Sequence, residues 1–376
     1  MCSIARQRVP TLALSPTLDP ALDSEAASLL CVGFQGPGVT PELRELIARG
    51  VRSVILFSRN VGEPGEVFEL TRAIKALAPE PVIVGVDQEG GRVQRLRRGF
   101  TELAPLRALG KTRDPELAFA VGRLLGTELR AVGVDWNFAP VLDVDTNPNN
   151  PVIGQRAFGR EPELVAELGV ALAAGLADAG VAPCGKHFPG HGDTELDSHT
   201  ALPRLGSDFA RLRAVELVPF REAVAANVAC MLTCHVLFTE IDAEYPATLS
   251  PRIVQAMLKD ELGYQGAVIT DDLDMKAIAN RYTIEETVVR CLRAGCDGFL
   301  ICNGDYDKKV RALEAVIREA EGDMGFAKRV EDAMTRMRRP KARFLGGRRP
   351  VLNPERLEAL APFEHQLVAE EMRQWL

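Results

Sequence analysis

Residues 81–87 read PVIVGVD, a short run that is apolar on both faces and ends in an aspartate. A strand covered by helices on both sides has this composition, because neither of its two rows of side chains meets water. Seven more runs have the same character, at residues 28–34, 52–58, 133–144, 181–188, 229–236, 266–272 and 297–303. The chain therefore contains eight predicted strands of the parallel type.

Amphipathic stretches lie between these runs and predict helices. Residues 114–133 open with Asp-Pro and close on Gly133, and residues 161–180 close on Gly180. Proline in the first turn and glycine after the last turn are typical of helix ends. No long linker divides the pattern, which favours one domain of alternating strands and helices.

Eight such units predict a (β/α)8 TIM-type barrel, with an open doubly wound sheet as the alternative. Polar side chains at the carboxyl ends of many strands favour the barrel, because only a barrel collects all these ends on one rim. These side chains are Asp87, Asp143, Lys186, His187, His235, Asp271 and Asn303. We expect an N-terminal segment over 1–25, a single catalytic barrel over 26–335 and a C-terminal extension over 336–376.

Composition and charge restrict the partners and the location. A chain that is 46% hydrophobic and 26% charged is typical of globular proteins. The net charge of −7 argues against nucleic-acid and anionic-membrane partners. Neither a secretory signal nor a membrane span is predicted, and eight scattered cysteines without a CxxC pattern indicate free thiols. We expect a cytoplasmic monomer or weak homo-oligomer.

Three of the five histidines fall in residues 186–199, KHFPGHGDTELDSH, which raises the question of a metal site. His187 and His191 have the spacing of two zinc ligands on a helix. Pro189 and Gly190 make a helix improbable there, and no HExxH pattern occurs. The sequence therefore predicts neither a metal nor a cofactor.

The end of the same run suits proton transfer. Asp197 and His199 are two residues apart, so in an extended or looped backbone their side chains lie on the same side. The carboxylate can accept the Nδ1–H of the imidazole and leave Nε2 for a substrate. An ordinary surface hydrogen bond is the alternative, and for an isolated D-x-H pattern it is the more frequent one.

A second candidate site residue follows the strand over 266–272, GAVITDD. Strand alternation sends Asp271 and Asp272 to opposite sides, so one of them faces the barrel mouth. An ionised aspartate at a strand end can act as a nucleophile or as a metal ligand. The alternative is that these aspartates cap the next helix, a position for which Asp272 and Asp274 are suited.

Three stretches together, KHFPGHGDTELDSH, VITDDLDM and VDQEGGRVQR, resemble family 3 glycoside hydrolases, in the branch of bacterial β-N-acetylglucosaminidases. The resemblance runs from about residue 25 to 305 and implies a (β/α)8 domain. It also implies that Asp271 is the nucleophile and that His199 is the acid/base, with Asp197 as its orienting partner. The sugar-binding residues that it implies are Asp87, Arg95, Arg156, Lys186 and His187.

The activity implied by this resemblance is that of a retaining exo-β-N-acetylglucosaminidase. Its substrate would be a small carbohydrate with a terminal β-linked N-acetylglucosamine (GlcNAc), such as a peptidoglycan fragment in cell-wall recycling. A family 3 β-glucosidase or a β-GlcNAc phosphorylase is the close alternative. A metal-dependent barrel amidohydrolase is a remote one, and a non-catalytic sugar-binding protein would leave the nucleophile and the D-x-H pair without a purpose.

Overall fold

Eight parallel strands close into a barrel in the computed structural model, which describes residues 20–206, 208–303, 305–346 and 353–376. The barrel strands are β1 (Leu30–Val32), β2 (Ser53–Leu56), β3 (Ile83–Val86), β6 (Trp136–Asn137), β7 (Ala182–Phe188), β9 (Cys230–Thr233), β11 (Ala267–Asp272) and β12 (Gly298–Ile301). Each pairs with the next along the chain, and β12 pairs with β1. The predicted (β/α)8 barrel is confirmed, and the open sheet is excluded.

Short strands outside the barrel form two small ribbons, which are made by β4 (Gln88–Gly90) with β5 (Val93–Gln94) and by β8 (Arg204–Leu205) with β10 (Leu237–Phe238). The helices are α1 (Pro20–Ala27), α2 (Pro41–Arg49), α3 (Pro64–Lys75), α4 (Leu106–Thr112), α5 (Pro115–Ala131), α6 (Pro162–Asp178), α7 (Phe209–Ala214), α8 (Leu217–Ala225), α9 (Lys276–Ala279), α10 (Ile284–Ala294), α11 (Tyr306–Gly322), α12 (Met324–Leu345) and α13 (Phe363–Arg373). A π-helical segment spans Arg252–Glu261, and short 3₁₀ turns lie at Gly154–Arg156, Ala247–Leu249 and Pro354–Ala359.

Helices α5 and α6 lie where the sequence predicts them. The Asp114 side chain accepts hydrogen bonds from two backbone N–H groups of the first turn of α5. The two helices approach closely through glycines, since a Cβ on Gly122 would lie 2.1 Å from the Leu172 carbonyl oxygen. The strand predicted over 133–144 is much shorter than expected. Only Trp136–Asn137 forms a strand, followed by one bridge from Val141 to β7.

Helix α12 lies across the amino-terminal ends of the barrel strands. Arg336 donates to backbone carbonyls of Tyr264 and Gly266, just before β11, and Arg343 donates to that of Asn227, just before β9. Met337 is buried beside Gly298, the first residue of β12. The helix is continuous, so the extension predicted over 336–376 begins within it. The face opposite the strand-end polar residues is therefore covered.

The two ends of the chain are described in part. Of the predicted N-terminal segment over 1–25, residues 1–19 lie outside the described residues, and α1 begins at Pro20. Helix α13 packs against α4 and α5, where His365 Nδ1 lies 2.9 Å from a carboxylate oxygen of the buried Glu128. Within the described ranges, no helix has both the length and the apolar character needed to span a bilayer.

Candidate active site

A cluster of cations and carboxylates joins the rim ends of β3 and β7. Lys186 Nζ lies 2.8 Å from Asp87 Oδ1 and 2.5 Å from Glu89 Oε1. Arg156 donates to both oxygens of Glu89, at 2.9 and 2.8 Å, and Arg95 lies 3.7 Å from Asp87. Four of the five predicted sugar-binding residues thus lie in one cluster, which we call the ion-pair cluster (Asp87, Glu89, Arg95, Arg156 and Lys186).

Glu89 is the member of this cluster that the sequence analysis missed. Its side chain is 1% exposed, so its oxygens face Arg156 and Lys186. Burial alone would raise the pKa of Glu89, but the charges of Arg156 and Lys186 outweigh it and hold the pKa far below its usual range. The available signal was its position in the DQEGG run, two residues after Asp87.

The backbone that follows β3 is fixed by side-chain amides. Asn137 on β6 exchanges two hydrogen bonds with the backbone of Gln88, at 3.0 and 2.9 Å. The Gln88 side chain in turn accepts from the N–H groups of Arg95 and Leu96. These bonds fix the position of the β4–β5 ribbon at the end of β3. They also fix the backbone from which the Arg95 side chain extends. The DQEGG stretch therefore belongs to a hairpin.

The fifth predicted sugar-binding residue, His187, is held from behind by Asp143. His187 Nδ1 lies 2.6 Å from Asp143 Oδ2, and the other oxygen accepts from the backbone N–H of His191 at 2.7 Å. Burial would raise the pKa of Asp143, but the charge and the hydrogen bond of His187 lower it below its ordinary value. With Nδ1 bound to a carboxylate, Nε2 of His187 is left to face the cavity.

Asp271 lies on β11 and accepts a hydrogen bond of 2.7 Å from the backbone N–H of Asp272. Burial would raise the pKa of Asp271, but His235, His187, this N–H and His199 together hold it below its ordinary value. The carboxylate is therefore anionic at neutral pH. An anion with a free oxygen at a strand end has the properties of a nucleophile.

His235, at the rim end of β9, lies beside this aspartate and is fully buried. Its Nδ1 is 2.8 Å from Thr248 Oγ1, and its Nε2 is 3.1 Å from the backbone oxygen of Asp272. Burial lowers the pKa of His235, so the ring is neutral at pH 7. The sequence analysis placed His235 on the rim but did not include it among the site residues.

The aspartates after Asp271 do not cap the next helix, so this alternative is wrong. Helix α9 begins at Lys276, its N-cap is Met275, and no side chain caps it. Asp272 instead accepts from the backbone N–H groups of Asp274 and Cys302, and so joins the loops after β11 and β12. Burial and the charge of Asp274 raise the pKa of Asp272 to about 6.

The loop after β7 carries the predicted Asp197–His199 pair. His199 Nδ1 lies 2.7 Å from Asp197 Oδ1, and the His199 backbone N–H donates to the same oxygen at 2.8 Å. Burial would raise the pKa of Asp197, but these two hydrogen bonds outweigh it and lower the pKa. The His199 side chain is 64% exposed and that of Asp197 is 39% exposed.

The third histidine of this segment, His191, is buried behind the loop. Its ring nitrogens lie 2.9 Å from Thr194 Oγ1 and 3.0 Å from Ser198 Oγ. Across the described ranges, no group of three or more histidine, cysteine or acidic side chains has an arrangement that could hold a metal ion. The residue types at the rim are suited to hydrogen bonding with hydroxyl groups and to proton transfer.

Known proteins resemble this chain over most of its length. Residues 21–339 match the family model of the glycosyl hydrolase family 3 N-terminal domain. A β-hexosaminidase of Thiobacillus denitrificans is 45% identical over 296 residues, which covers 76% of this chain and 79% of the relative. A family 3 β-N-acetylglucosaminidase of Paenibacillus superposes with a TM-score of 0.89 at 38% identity, covering 94% of this chain and 68% of that one. Native NagZ of Neisseria gonorrhoeae superposes with a TM-score of 0.70 at 34% identity, covering 82% and 97%.

Proposed function

The chain belongs to glycosyl hydrolase family 3 and is a β-hexosaminidase, and on that premise we propose that it is a retaining exo-β-N-acetylglucosaminidase. One observation carries the proposal. Asp271 lies on β11 at the barrel rim, and the loop that carries the Asp197–His199 pair is bonded to the helix after this strand, through the Ser198 carbonyl oxygen and the Ala277 N–H at 3.2 Å. A nucleophile and a proton donor that act on the same glycosidic bond require this arrangement.

The reaction proceeds in two steps. Asp271 attacks the anomeric carbon, and a glycosyl–enzyme ester forms while the bond to the leaving oxygen breaks. The imidazolium of His199 gives its proton to that oxygen, and Asp197 stabilises the ring through Nδ1. In the second step, neutral His199 takes a proton from water, the water oxygen attacks the anomeric carbon, and Asp271 is released. Two displacements retain the configuration.

A histidine in this role changes the electrostatics of the site. Most retaining glycosidases place two carboxyl groups about 5–5.5 Å apart, and the charge of one raises the pKa of the other. A protonated His199 instead favours the anionic form of Asp271, whose pKa is lowered. Together with His235, His187 and the Asp272 N–H, which lower the pKa of Asp271, it keeps the nucleophile ionised while the acid carries its proton.

The ion-pair cluster and His187 are suited to hold the sugar. Asp87 has the most exposed carboxylate of the cluster and accepts from sugar hydroxyls, while Arg95, Arg156, Lys186 and His187 donate to hydroxyls or to the acetamido carbonyl. The cations and carboxylates are bonded to each other before any ligand arrives. Such preorganisation keeps the cost of binding low.

We further propose that the physiological substrate is a cell-wall fragment in which GlcNAc is linked to anhydro-N-acetylmuramic acid. The family resemblance implies this substrate, and the complex of Neisseria gonorrhoeae NagZ with N-trifluoroacetyl-D-glucosamine supports its GlcNAc part. A cytoplasmic place in peptidoglycan recycling agrees with the seven buried free cysteines of the described residues, because free thiols are typical of reducing compartments.

The test compares a disaccharide of this kind with an activated aryl β-GlcNAc, using wild type, Asp271→Ala and His199→Ala. Asp271→Ala should lose about 10⁴-fold or more on both substrates, because the covalent step needs the nucleophile. In kcat/KM, which reports the step in which the leaving group departs, His199→Ala should lose about 10²–10⁴-fold on the disaccharide and far less on the aryl glycoside, whose leaving group needs no proton. Glu195→Ala, on the exposed side of the same loop, is the matched control.

Three outcomes would contradict the proposal. Substantial activity of Asp271→Ala would place the nucleophile elsewhere, and equal losses on both substrates would remove the acid role of His199. Turnover that depends on added phosphate and yields a sugar phosphate would identify a phosphorylase. Faster hydrolysis of an aryl β-glucoside than of the aryl β-GlcNAc would identify a glucosidase. Loss of activity on addition of a chelator would identify a metal-dependent hydrolase.

A further inference from the structure

Ser198 lies between the two members of the Asp197–His199 pair and points the opposite way. Ser198 is 1% exposed, whereas the side chains of Asp197 and His199 are 39% and 64% exposed. The segment is a turn, in which the backbone N–H groups of Thr200 and Ala201 donate to the Asp197 carbonyl oxygen at 2.9 and 3.0 Å. Ser198 is therefore the point at which the pair is attached to the protein interior.

Two hydrogen bonds make that attachment. Ser198 Oγ lies 3.0 Å from His191 Nε2, and the Ser198 carbonyl oxygen accepts from the backbone N–H of Ala277 at 3.2 Å. Ala277 belongs to α9, which follows the strand that carries Asp271. The second bond thus ties the loop to the segment next to the proposed nucleophile.

The direction of the first bond follows from the surroundings of His191. Burial, together with the nearby charge of His187, lowers the pKa of His191 to about 4, so the ring is neutral and has one donor and one acceptor. Thr194 Oγ1 lies 2.9 Å from Nδ1 and donates to the His191 carbonyl oxygen at 3.2 Å. With its proton used there, Thr194 accepts from Nδ1–H. Nε2 is then the acceptor for the Ser198 hydroxyl.

His191 is itself held firmly. Its backbone N–H donates to Asp143 at 2.7 Å, and its carbonyl oxygen accepts from the Asn150 side chain at 2.8 Å. Asp143 is the same carboxylate that binds His187. The hydroxyl of Ser198 therefore connects the exposed pair to the rigid part of the site through a single bond.

We propose that Ser198 is the positioning residue of the acid/base pair, and that its bonds to His191 and Ala277 hold His199 on the side of the rim where β11 carries Asp271. This inference rests on the proposed function, in which His199 is the general acid. Without the hydroxyl, the pair keeps its own hydrogen bond but loses its side-chain attachment to the interior. Proton delivery to the leaving oxygen becomes slower, while sugar binding stays intact.

The experiment measures kcat/KM for aryl β-GlcNAc substrates with graded leaving groups, using wild type, Ser198→Ala, Ser198→Thr, His199→Ala and the double variant Ser198→Ala/His199→Ala. Ser198→Ala should lose about 10-fold on the poorest leaving group, as expected for one lost hydrogen bond, and little on the most activated one. Ser198→Thr keeps a hydroxyl and should restore most of the rate. In the His199→Ala background, removal of the hydroxyl should change nothing further. The KM for the activated substrate should stay at the wild-type value, and the melting temperature should fall by only a few degrees, because His191 Nε2 is left buried without its donor.

The outcomes separate this proposal from the one on which it rests. If His199→Ala shows no dependence on the leaving group, the proposed function fails. If His199→Ala shows it and Ser198→Ala matches wild type, only the positioning role fails. An equal loss on all substrates, an additive loss in the double variant, or a threonine variant as slow as the alanine variant would also overturn the role of Ser198.

Discussion

The two sides of the candidate active site are built in contrasting ways. In the ion-pair cluster, Glu89 has two cationic partners and is 1% exposed. On the loop, His199 is 64% exposed, and Asp197 is the side chain bonded to it. The first arrangement suits groups that must hold one geometry for binding. The second suits a group that exchanges its proton with a leaving group and then with water. The contrast teaches that rigidity and access to water are provided by different segments of one rim.

The largest effect on stability is expected at Glu89, and it tests whether the ion-pair cluster is the rigid side of the site. Glu89→Ala leaves Arg156 and Lys186 buried without their shared carboxylate, a change that costs about 3–5 kcal/mol. We expect this loss in the free energy of urea unfolding, together with a large rise in KM, because the proposed sugar-binding cations lose their orientation. Glu89→Gln keeps the shape and one acceptor and should lie between alanine and wild type. A Glu89→Ala protein as stable as wild type would show that the cluster is not the rigid side.

The sequence predicts the rim but not the partners within it. Alternation of apolar runs and helices, with polar residues at the strand ends, is a local pattern, and barrel closure then brings Asp87, Lys186 and Asp271 to one face. The role of Glu89 depends on Arg156, which is 67 residues away and meets it only in the folded barrel. In a single sequence, such a glutamate looks like any acid in a turn.

The same reason explains the wrong helix-cap alternative. Asp272 and Asp274 stand before a helix, and the local rule favours a cap there. In the structure, the Asp272 carboxylate instead accepts a hydrogen bond from the backbone N–H of Cys302, in the loop after β12. The orientation of Ser198 toward His191 was likewise hidden, because a serine between two polar residues carries no sign of burial.

A smaller effect is expected at Asp272, a rim carboxylate whose pKa is raised to about 6 by burial and by the charge of Asp274. The folded protein binds this proton more tightly than the unfolded chain. The resulting stability is present below the unfolded pKa, near 4, and is lost as the pH rises through about 6. Asp272→Asn keeps the acceptor oxygen and removes the charge. It should therefore be more stable than wild type at pH 7.5, by on the order of 2 kcal/mol.

Urea unfolding at pH 4.5 and 7.5 checks this sign. The difference between Asp272→Asn and wild type should be large at pH 7.5 and should fall to about a third of that value at pH 4.5, which still lies above the unfolded pKa. The matched control is Asp143→Asn, at a carboxylate whose pKa is lowered, for which the variant should lose stability at pH 7.5. If Asp272→Asn is less stable than wild type at both pH values, the prediction is wrong, and the charged carboxylate of Asp272 does not destabilise the folded protein.

The smallest effect on stability is expected at Asp197, and it sharpens the contrast most directly. Exposed ion pairs contribute less than about 1 kcal/mol, because water screens the charges and both side chains lose freedom when they pair. Asp197→Ala should therefore unfold at nearly the same urea concentration as wild type. Its kcat/KM on substrates with poor leaving groups should nevertheless fall about 10-fold or more, since the imidazole loses the partner that orients it and stabilises its charged form. Comparison with Glu89→Ala separates the two sides of the site. Glu89→Ala should lower the free energy of unfolding, whereas Asp197→Ala should lower only the rate. A loss of stability at Asp197 as large as that at Glu89 would mean that the loop belongs to the rigid part of the site.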